Sequence, residues 1–269
     1  MEMGVYRKVK RAVVLGMVAY GAAAWSLHPK PAELLDPSWH REVPMRITMR
    51  SLAWLLPELH ARFGERGVRA LQYVFYRIGE DRAPILREAL DIDPYDARSL
   101  GRVLDYEDGL VGVRGIWTEE TRGRAVKEER YCPAARELER CPEVCSELMV
   151  AMEAGTFSVL NPDLKIPEIT ELLSRGDPCC RAVIELPLAR REASKPSPQA
   201  TPGEFPPRLE VPGLREKLAM QALKSVAGVI WTLVTRGPDQ LGGVTSSIFD
   251  GVGMQGKGAG FCRDRRSKI

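Results

Sequence analysis

Cysteines are the residues of this chain best suited to chemistry, and half of them lie close together. The segment RYCPAARELERCPEVCSELM (130–149) contains Cys132, Cys141 and Cys145, and the first two are each followed by proline. Proline is favoured at the first position of a helix, so both thiols are predicted to stand at helix starts. Unpaired backbone N–H groups and the helix dipole lower the pKa of a thiol placed there. We therefore predict a reactive thiolate at Cys141.

A metal site is the second use that the cysteines allow. Cys145 follows Cys141 by four residues, which places both on one helix face. This pair, with a third thiol from Cys132 or Cys180, could hold zinc, although the strong zinc patterns use two thiols separated by two residues. A third interpretation is that the thiols are small buried hydrophobic side chains. Nucleophile, metal ligand and packing residue all remain open from the residues alone.

Other chemical motifs are missing from the sequence. It contains no glycine-rich phosphate loop, dinucleotide fingerprint, serine nucleophile elbow or helical His-Glu pair. The 39 basic and 36 acidic residues nearly balance, so nucleic-acid binding is not expected. The acidic group Asp105, Glu107 and Asp108 in LDYEDG is interpreted as a solvated turn, and His60 as a packed or surface residue.

The hydrophobic pattern predicts helices, a hairpin, more helices and a second hairpin. Apolar residues recur at three- and four-residue intervals up to about residue 100, as in RGVRALQYVFYRIGEDRAPILREAL. GLVGVRGIWTEETRGRAVKEERYC is typical of two strands joined by a turn, and EITELL and CRAVIEL are strand candidates on either side of SRGDP. We predict an α+β fold, with a helical N-terminal half packed on a small antiparallel sheet that carries cysteine-bearing helices.

Composition divides the chain into five parts. Residues 1–30 are predicted to form a hydrophobic helix, and 31–191 are predicted to form the α+β domain. The proline-rich stretch 192–212 is predicted to be a linker, because proline disfavours both helices and inner strands. A helix over 213–236 is expected to dock on the body, meet a partner or lie on a bilayer surface. The glycine-rich residues 237–269 are predicted to form a flexible tail.

The N-terminal segment bears on the compartment. Residues 12–27 are an uncharged run of sixteen that follows the basic YRKVKR. The run resembles a secretory signal or a short anchor, but it falls short of the roughly 20 apolar residues of a spanning helix and lacks a clean cleavage site. We predict a packed soluble helix and a cytoplasmic protein. The alternative is association with a membrane through the N- or C-terminal hydrophobic helix.

Several motifs in the second half of the chain resemble a known family. CPEVC (141–145), NPDL (161–164) and GDPCCRAVIE (176–185) follow a strand pair and a first Cys-Pro. In this order they resemble the L-2-amino-thiazoline-4-carboxylic acid hydrolase family, which is similar to the 4-vinyl reductase domain with its Gly-Asp-Pro-x-Cys signature. Ala182 stands where that signature has an aromatic residue.

The resemblance implies hydrolytic opening of a sulfur–nitrogen ring to a carbamoyl-cysteine type of product. Taken together with the thiol chemistry, it suggests catalytic roles for Cys141, Cys180 and Asp177, with Asn161 and Trp117 binding a small-molecule substrate. The alternative to a nucleophilic thiolate is a zinc ion, held by cysteines from the set Cys132, Cys141, Cys145 and Cys180. The rival function is a non-catalytic sensor of the 4-vinyl reductase type, which binds a small ligand or zinc.

Overall fold

A computed structural model describes residues 39–187 and 211–236 of the 269-residue chain. The described residues form seven α-helices, four strands, one π-helical segment and one short 3₁₀ segment. The helices are α1 (Trp39–Phe63), α2 (Glu65–Ala89), α3 (Ala97–Leu100), α4 (Arg102–Val111), α5 (Ala135–Leu138), α6 (Val150–Leu160) and α7 (Leu214–Arg236). The strands are β1 (Arg114–Glu120), β2 (Arg124–Tyr131), β3 (Lys165–Glu171) and β4 (Cys180–Glu185). The π-helical segment is Val144–Met149, and the 3₁₀ segment is Leu173–Arg175.

The four strands form one antiparallel sheet in the order β1-β2-β4-β3. β2 and β4 are the central strands, with Glu129 opposite Cys180 and Ala125 opposite Ile184. Side chains alternate between the two faces of a strand, so Ala125, Lys127 and Glu129 of β2 share the face of Cys180. Ala125 and Ile184 belong to the hydrophobic core, which identifies this face as the one that packs on the helices.

Helices α2 and α6 cross at two glycines. A Cβ atom at Gly79 would overlap the carbonyl oxygen of Met152, and one at Gly155 would overlap that of Tyr76. The missing side chains therefore let the two backbones approach closely. This contact joins the long helix of the first half of the chain to the helix that follows the cysteine segment.

The buried apolar residues form two clusters. The larger lies between the helices and the sheet and includes Leu86, Leu100, Phe157 and Ile184. The smaller surrounds α1, α5 and the π-helical segment and includes Cys141. Between the clusters lies a region of the interior that is lined by charged side chains and thiols.

The structure confirms the predicted α+β class and both predicted strand pairs. The helix predicted over 213–236 is α7, whose Leu214 joins the larger cluster and whose Ser225 hydroxyl donates to Asp81 Oδ2 at 2.8 Å. The hydrophobic residues 12–27, the tail 237–269 and nearly all of the predicted linker lie outside the described residues. Within residues 39–187 and 211–236, no helix has the length and apolarity needed to cross a membrane.

Candidate functional site

Cys141 is near Cys132 and Cys145, which pack against the same apolar cluster, but its sulfur is not a free thiol. Its side chain is fully buried in the smaller apolar cluster. It is joined in a disulfide, whereas the other four described cysteines carry free thiols. In this state Cys141 presents no thiolate to a substrate and no free sulfur to a metal.

Three other thiols come together from separate elements. Cys132 follows β2, Cys145 lies in the π-helical segment and Cys180 begins β4. They are close enough for the charge of one to act on the next, since ionised Cys132 and Cys145 would both raise the pKa of Cys180. All three keep some accessible surface, unlike Cys141. π-Helical turns are frequent at functional sites, and this one brings Cys145 to the group.

The pKa values of these thiols move in the direction opposite to the prediction. Burial, followed by the charge of nearby groups, raises the pKa of Cys132 to about 11 and that of Cys145 to about 12, and it also raises the pKa of Cys180. The backbone N–H groups of Ala134 and Ala135 do lower the pKa of Cys132, as expected, but burial raises it by more, and helix α5 has only four residues and begins three positions later. Such a short helix supplies little dipole to offset the burial of a charge.

Glu129 is the carboxyl group that faces the thiols. It stands directly opposite Cys180 on the sheet and beside Gly115 of β1. A Cβ atom at Gly115 would lie 3.1 Å from Glu129 Cγ, so the glycine leaves room for this side chain. Burial and the charge of Asp108 raise the pKa of Glu129 to about 8. Within the described residues, its carboxyl has no hydrogen bond or ion pair.

A buried lysine lies next along the same strand face. Lys127 is fully buried, and its Nζ lies 2.9 Å from Asp105 Oδ1 and 2.7 Å from Asp108 Oδ2. Trp117 Nε1 also donates to Asp105 Oδ1 at 2.9 Å, and Arg98 pairs with Oδ2 of the same residue. The interpretation of this acidic group as a solvated turn is therefore wrong. It lies on helix α4 and turns its carboxylates inward.

A second buried cation lies between helices α2, α4 and α6. The Arg82 guanidinium pairs with Glu107 and, at 3.0 Å, with Glu153, and its Nε donates to Thr156 Oγ1 at 2.8 Å. Burial and the nearby Glu153 hold the pKa of Glu107 well above its ordinary value.

These groups are deep but not sealed from solvent, and we call the partly accessible set of carboxyl groups and thiols around Glu129 the recess. Glu107 and Asp108 lie deep in the molecule, yet 21% and 15% of their side-chain surfaces are accessible. Glu129 is likewise deep and partly accessible. Lys127 and Arg82 each form ion pairs with two carboxylates, whereas Glu129 has no basic group within ion-pair distance among the described residues, and the charge of Lys127 acts on it only from farther away. The recess therefore carries an excess of acidic groups.

The remaining predicted site residues have structural contacts. Asp177 Oδ2 accepts a hydrogen bond from Leu172 N at 2.8 Å and fixes the turn before β4. Asn161 Nδ2 donates to Pro94 O at 2.7 Å, and its Oδ1 accepts from Asp163 N at 2.9 Å. Trp117 belongs to the charged lining through Asp105. The structure thus brings Cys132, Cys145, Cys180 and Trp117 to the recess, while Asp177 holds one of its walls and Asn161 lies elsewhere.

Zinc binding is the other function predicted for the thiols. Cysteine thiolates are good zinc ligands, and three thiols with one carboxyl would be a sufficient set. Within the described ranges, however, no three His, Cys, Asp or Glu side chains are arranged to hold a metal ion. Zinc binding by Cys132, Cys145 and Cys180 stays a prediction.

Glu129 and Lys127 were missed by the sequence interpretation. RAVKEERY was predicted as a strand, and its period of two places both residues on the face of the buried Ala125. Charged residues on the inward face of a strand are a signal of function. Val126, on the other face of β2, is also apolar and buried, so the strand shows no clear alternation of apolar and polar residues.

No protein-family model matches this chain, and no curated protein matches it. The two motifs that carry the resemblance meet in space, since Cys145 of CPEVC and Cys180 of GDPCC both line the recess. Their convergence is a property of the fold and stands whatever family the chain belongs to.

Proposed function

We propose that this protein binds a small cyclic amidine in the recess and opens its ring by hydrolysis. The observation that carries the proposal is Glu129, a deep and partly accessible carboxyl that forms no ion pair or hydrogen bond among the described residues and has a raised pKa although the charge of Lys127 acts on it. A carboxyl group with a pKa near the working pH is suited to general acid–base catalysis. The resemblance to the 2-amino-thiazoline-carboxylate hydrolases supplies the class of substrate.

The excess of carboxyl groups favours a cationic ligand. An amidinium group has N–H donors and a positive charge. It would form the ion pair that the Glu129 carboxylate does not form with any described residue. A nearby positive charge stabilises the carboxylate, so binding would lower the pKa of Glu129 from about 8 and leave it ionised. Binding of the substrate thus prepares the base.

The proposed reaction moves one proton through Glu129. The carboxylate takes a proton from water as the water oxygen bonds to the amidine carbon. Glu129 returns this proton to the ring nitrogen as the carbon–nitrogen bond breaks. The proton of the new hydroxyl then passes to the released amine, which leaves a carbamoyl group on sulfur. Cys132, Cys145 and Cys180 stay protonated and line the site, because their pKa values are raised.

Glu129→Gln tests the assignment directly. Loss of a general base typically lowers the rate by about 10² to 10⁴. Purified protein would be incubated with 2-amino-thiazoline-4-carboxylic acid and the carbamoyl product followed by NMR. We expect turnover by the unmodified protein and at least a 100-fold slower rate for the variant. The control is Glu128→Gln, which changes the neighbouring residue on the opposite face of β2, where Glu128 pairs with Arg181.

Unchanged turnover in Glu129→Gln would remove Glu129 as the base. A rate lost equally in Glu128→Gln would show a general effect on the sheet rather than on catalysis. Absence of both binding and turnover with the unmodified protein would end the hydrolase proposal.

A non-catalytic ligand sensor is the second candidate. The raised pKa values of the recess thiols favour it, since protonated thiols are poor nucleophiles. In the same NMR experiment this candidate predicts that the amidine binds and is recovered intact. Elemental analysis of the purified protein separates a ligand sensor from a zinc sensor.

The proposed setting is the cytoplasm. Four of the five described cysteines, all except the disulfide-bonded Cys141, carry free thiols, and reducing compartments preserve free thiols. The alternative, contact with a membrane surface through a terminal hydrophobic helix, would appear as co-sedimentation of the full chain with lipid vesicles.

A further inference from the structure

The 3₁₀ segment Leu173–Arg175 forms a wall of the thiol group. Leu173 N donates to Cys180 Sγ at 3.3 Å, which fixes the start of the segment against β4. The Ser174 hydroxyl is buried beside the Cys145 thiol. Arg175 Nη2 donates to Ser146 Oγ at 3.2 Å, in the residue after Cys145. Each residue of the segment therefore touches a cysteine or its neighbour.

Arg175 has a cationic side chain that is still available. Its guanidinium acts electrostatically on Cys145 and on Glu147, so it lies near the thiols. Within the part of the chain that the structure describes, its one hydrogen-bond partner is the neutral hydroxyl of Ser146, and no carboxylate lies within ion-pair distance. Arg175 is also exposed, so its guanidinium lies at the solvent edge of the thiol group.

The other cations around the recess are already neutralised. Arg82 is held by Glu107 and Glu153, and Lys127 by Asp105 and Asp108. Arg98 pairs with Asp105 and Glu120. A ligand that carries a carboxylate thus finds acidic groups deep in the recess and one unpaired guanidinium at its edge.

We propose that Arg175 binds the carboxylate of the ligand and thereby selects a zwitterion. The cationic end of the ligand would face Glu129, and its carboxylate would face Arg175 across the thiols. A guanidinium binds a carboxylate through two parallel N–H···O hydrogen bonds, which gives orientation as well as affinity. Arg175 is a specificity residue in this scheme and takes no part in proton transfer. The inference rests on the proposed small-ligand function of the recess.

The test compares two ligands that differ in one carboxylate. Binding of 2-amino-thiazoline-4-carboxylic acid and of 2-amino-thiazoline would be measured by calorimetry with the full chain and with Arg175→Gln. Loss of a charge-assisted bidentate contact should weaken binding of the carboxylated ligand by roughly 10- to 100-fold. Binding of the ligand without a carboxylate should change less than about twofold. Arg175→Lys, which keeps the charge without the planar fork, should fall between the two.

Arg181→Gln is the matched control. Arg181 follows Cys180 in sequence, but it pairs with Glu128 and Glu171 on the opposite face of the sheet, so this change should alter neither affinity. Equal weakening of both ligands by Arg175→Gln, or no weakening of either, would overturn the role of Arg175 while leaving the ligand site in place. Failure of both ligands to bind the unmodified chain would instead overturn the proposed function.

Discussion

The thiols and Glu129 control one another's protonation. Burial is the main cause of the raised pKa at Cys132, Cys145 and Cys180, and the charge of Glu129 adds to it at each of the three. Glu129 itself has a pKa of about 8, so its charge appears mainly above that pH. Reactivity of the thiols therefore depends on a carboxyl group that lies on a different strand from Cys180.

Glu129→Gln should increase the alkylation rate of the recess thiols at pH 9. Removing the negative charge lowers the thiol pKa values and raises the fraction of thiolate, the form that reacts. Rates with iodoacetamide would be followed site by site by mass spectrometry. At pH 6.5, where Glu129 is mostly protonated, the variant and the unmodified protein should react alike. An equal increase in Glu128→Gln, or no increase at pH 9, would contradict this coupling.

At the scale of residues, the sequence predicted that Cys145 and Cys180 meet in space, and the structure places them near each other. It did not predict the state of the thiols. The reactivity expected of Cys141 depended on a helix start, and its burial in an apolar cluster could not be inferred from local spacing. The pKa of a thiol depends on residues distant in the chain, such as Glu129, whose position requires the register of the sheet.

At the scale of elements, the crossing of α2 and α6 positions the charged lining. Arg82 on α2 reaches Glu153 and Thr156 on α6 because the two helices approach closely at their glycines. Arg82 also pairs with Glu107 on α4, so one guanidinium connects three helices. The spacing of the recess therefore depends on a contact between backbones.

Gly155→Ala should destabilise the fold by about 3 kcal/mol, the upper part of the range for overpacking, because the new methyl group meets the Tyr76 carbonyl rather than a flexible side chain. The free energy of unfolding would be measured by urea denaturation. The control is Gly109→Ala on helix α4, where a Cβ atom meets nothing within 4 Å. That change should stabilise the protein by roughly 0.5–1 kcal/mol through helix propensity. Equal effects at the two glycines would show that the crossing is not tight.

Local periodicity was sufficient to predict most elements. The three- and four-residue apolar spacing identified α2, and the strand pairs followed from alternation and turn residues. The acidic LDYEDG segment was misassigned because its carboxylates resemble a solvated turn unless the facing Lys127 and Arg82 are known. Contacts between elements, unlike the elements themselves, are not encoded in nearby residues.

At the scale of the whole molecule, the acidic recess links stability to pH. The folded state holds protons on Glu129, with a pKa of about 8, and on Asp108, with a pKa of about 6, whereas the unfolded chain releases them near pH 4. The folded state thus binds more protons than the unfolded state between these limits. Stability must fall as the pH rises through this window.

The melting temperature should be higher at pH 5.5 than at pH 8.5. Each retained proton contributes a slope of up to about 1.4 kcal/mol per pH unit. Scanning calorimetry across this range, in buffers of equal ionic strength, would measure the slope, and Glu129→Gln should flatten it between pH 6 and pH 8. A melting temperature that rises toward pH 8.5, or a slope unchanged in the variant, would contradict the assignment of raised pKa values.

The pairing of Cys180 with Glu129 also bears on the register of β4 in the sheet. If the strand slipped by one residue, Cys179 would take the inward position of Cys180, and the recess would still contain a thiol. The same slip would move Arg181 from the outer face to the inward position of Ala182, opposite the fully buried Lys127. Two adjacent cations without water are strongly disfavoured. Arg181 therefore helps to hold β4 in its register against β2, although it touches nothing in the recess.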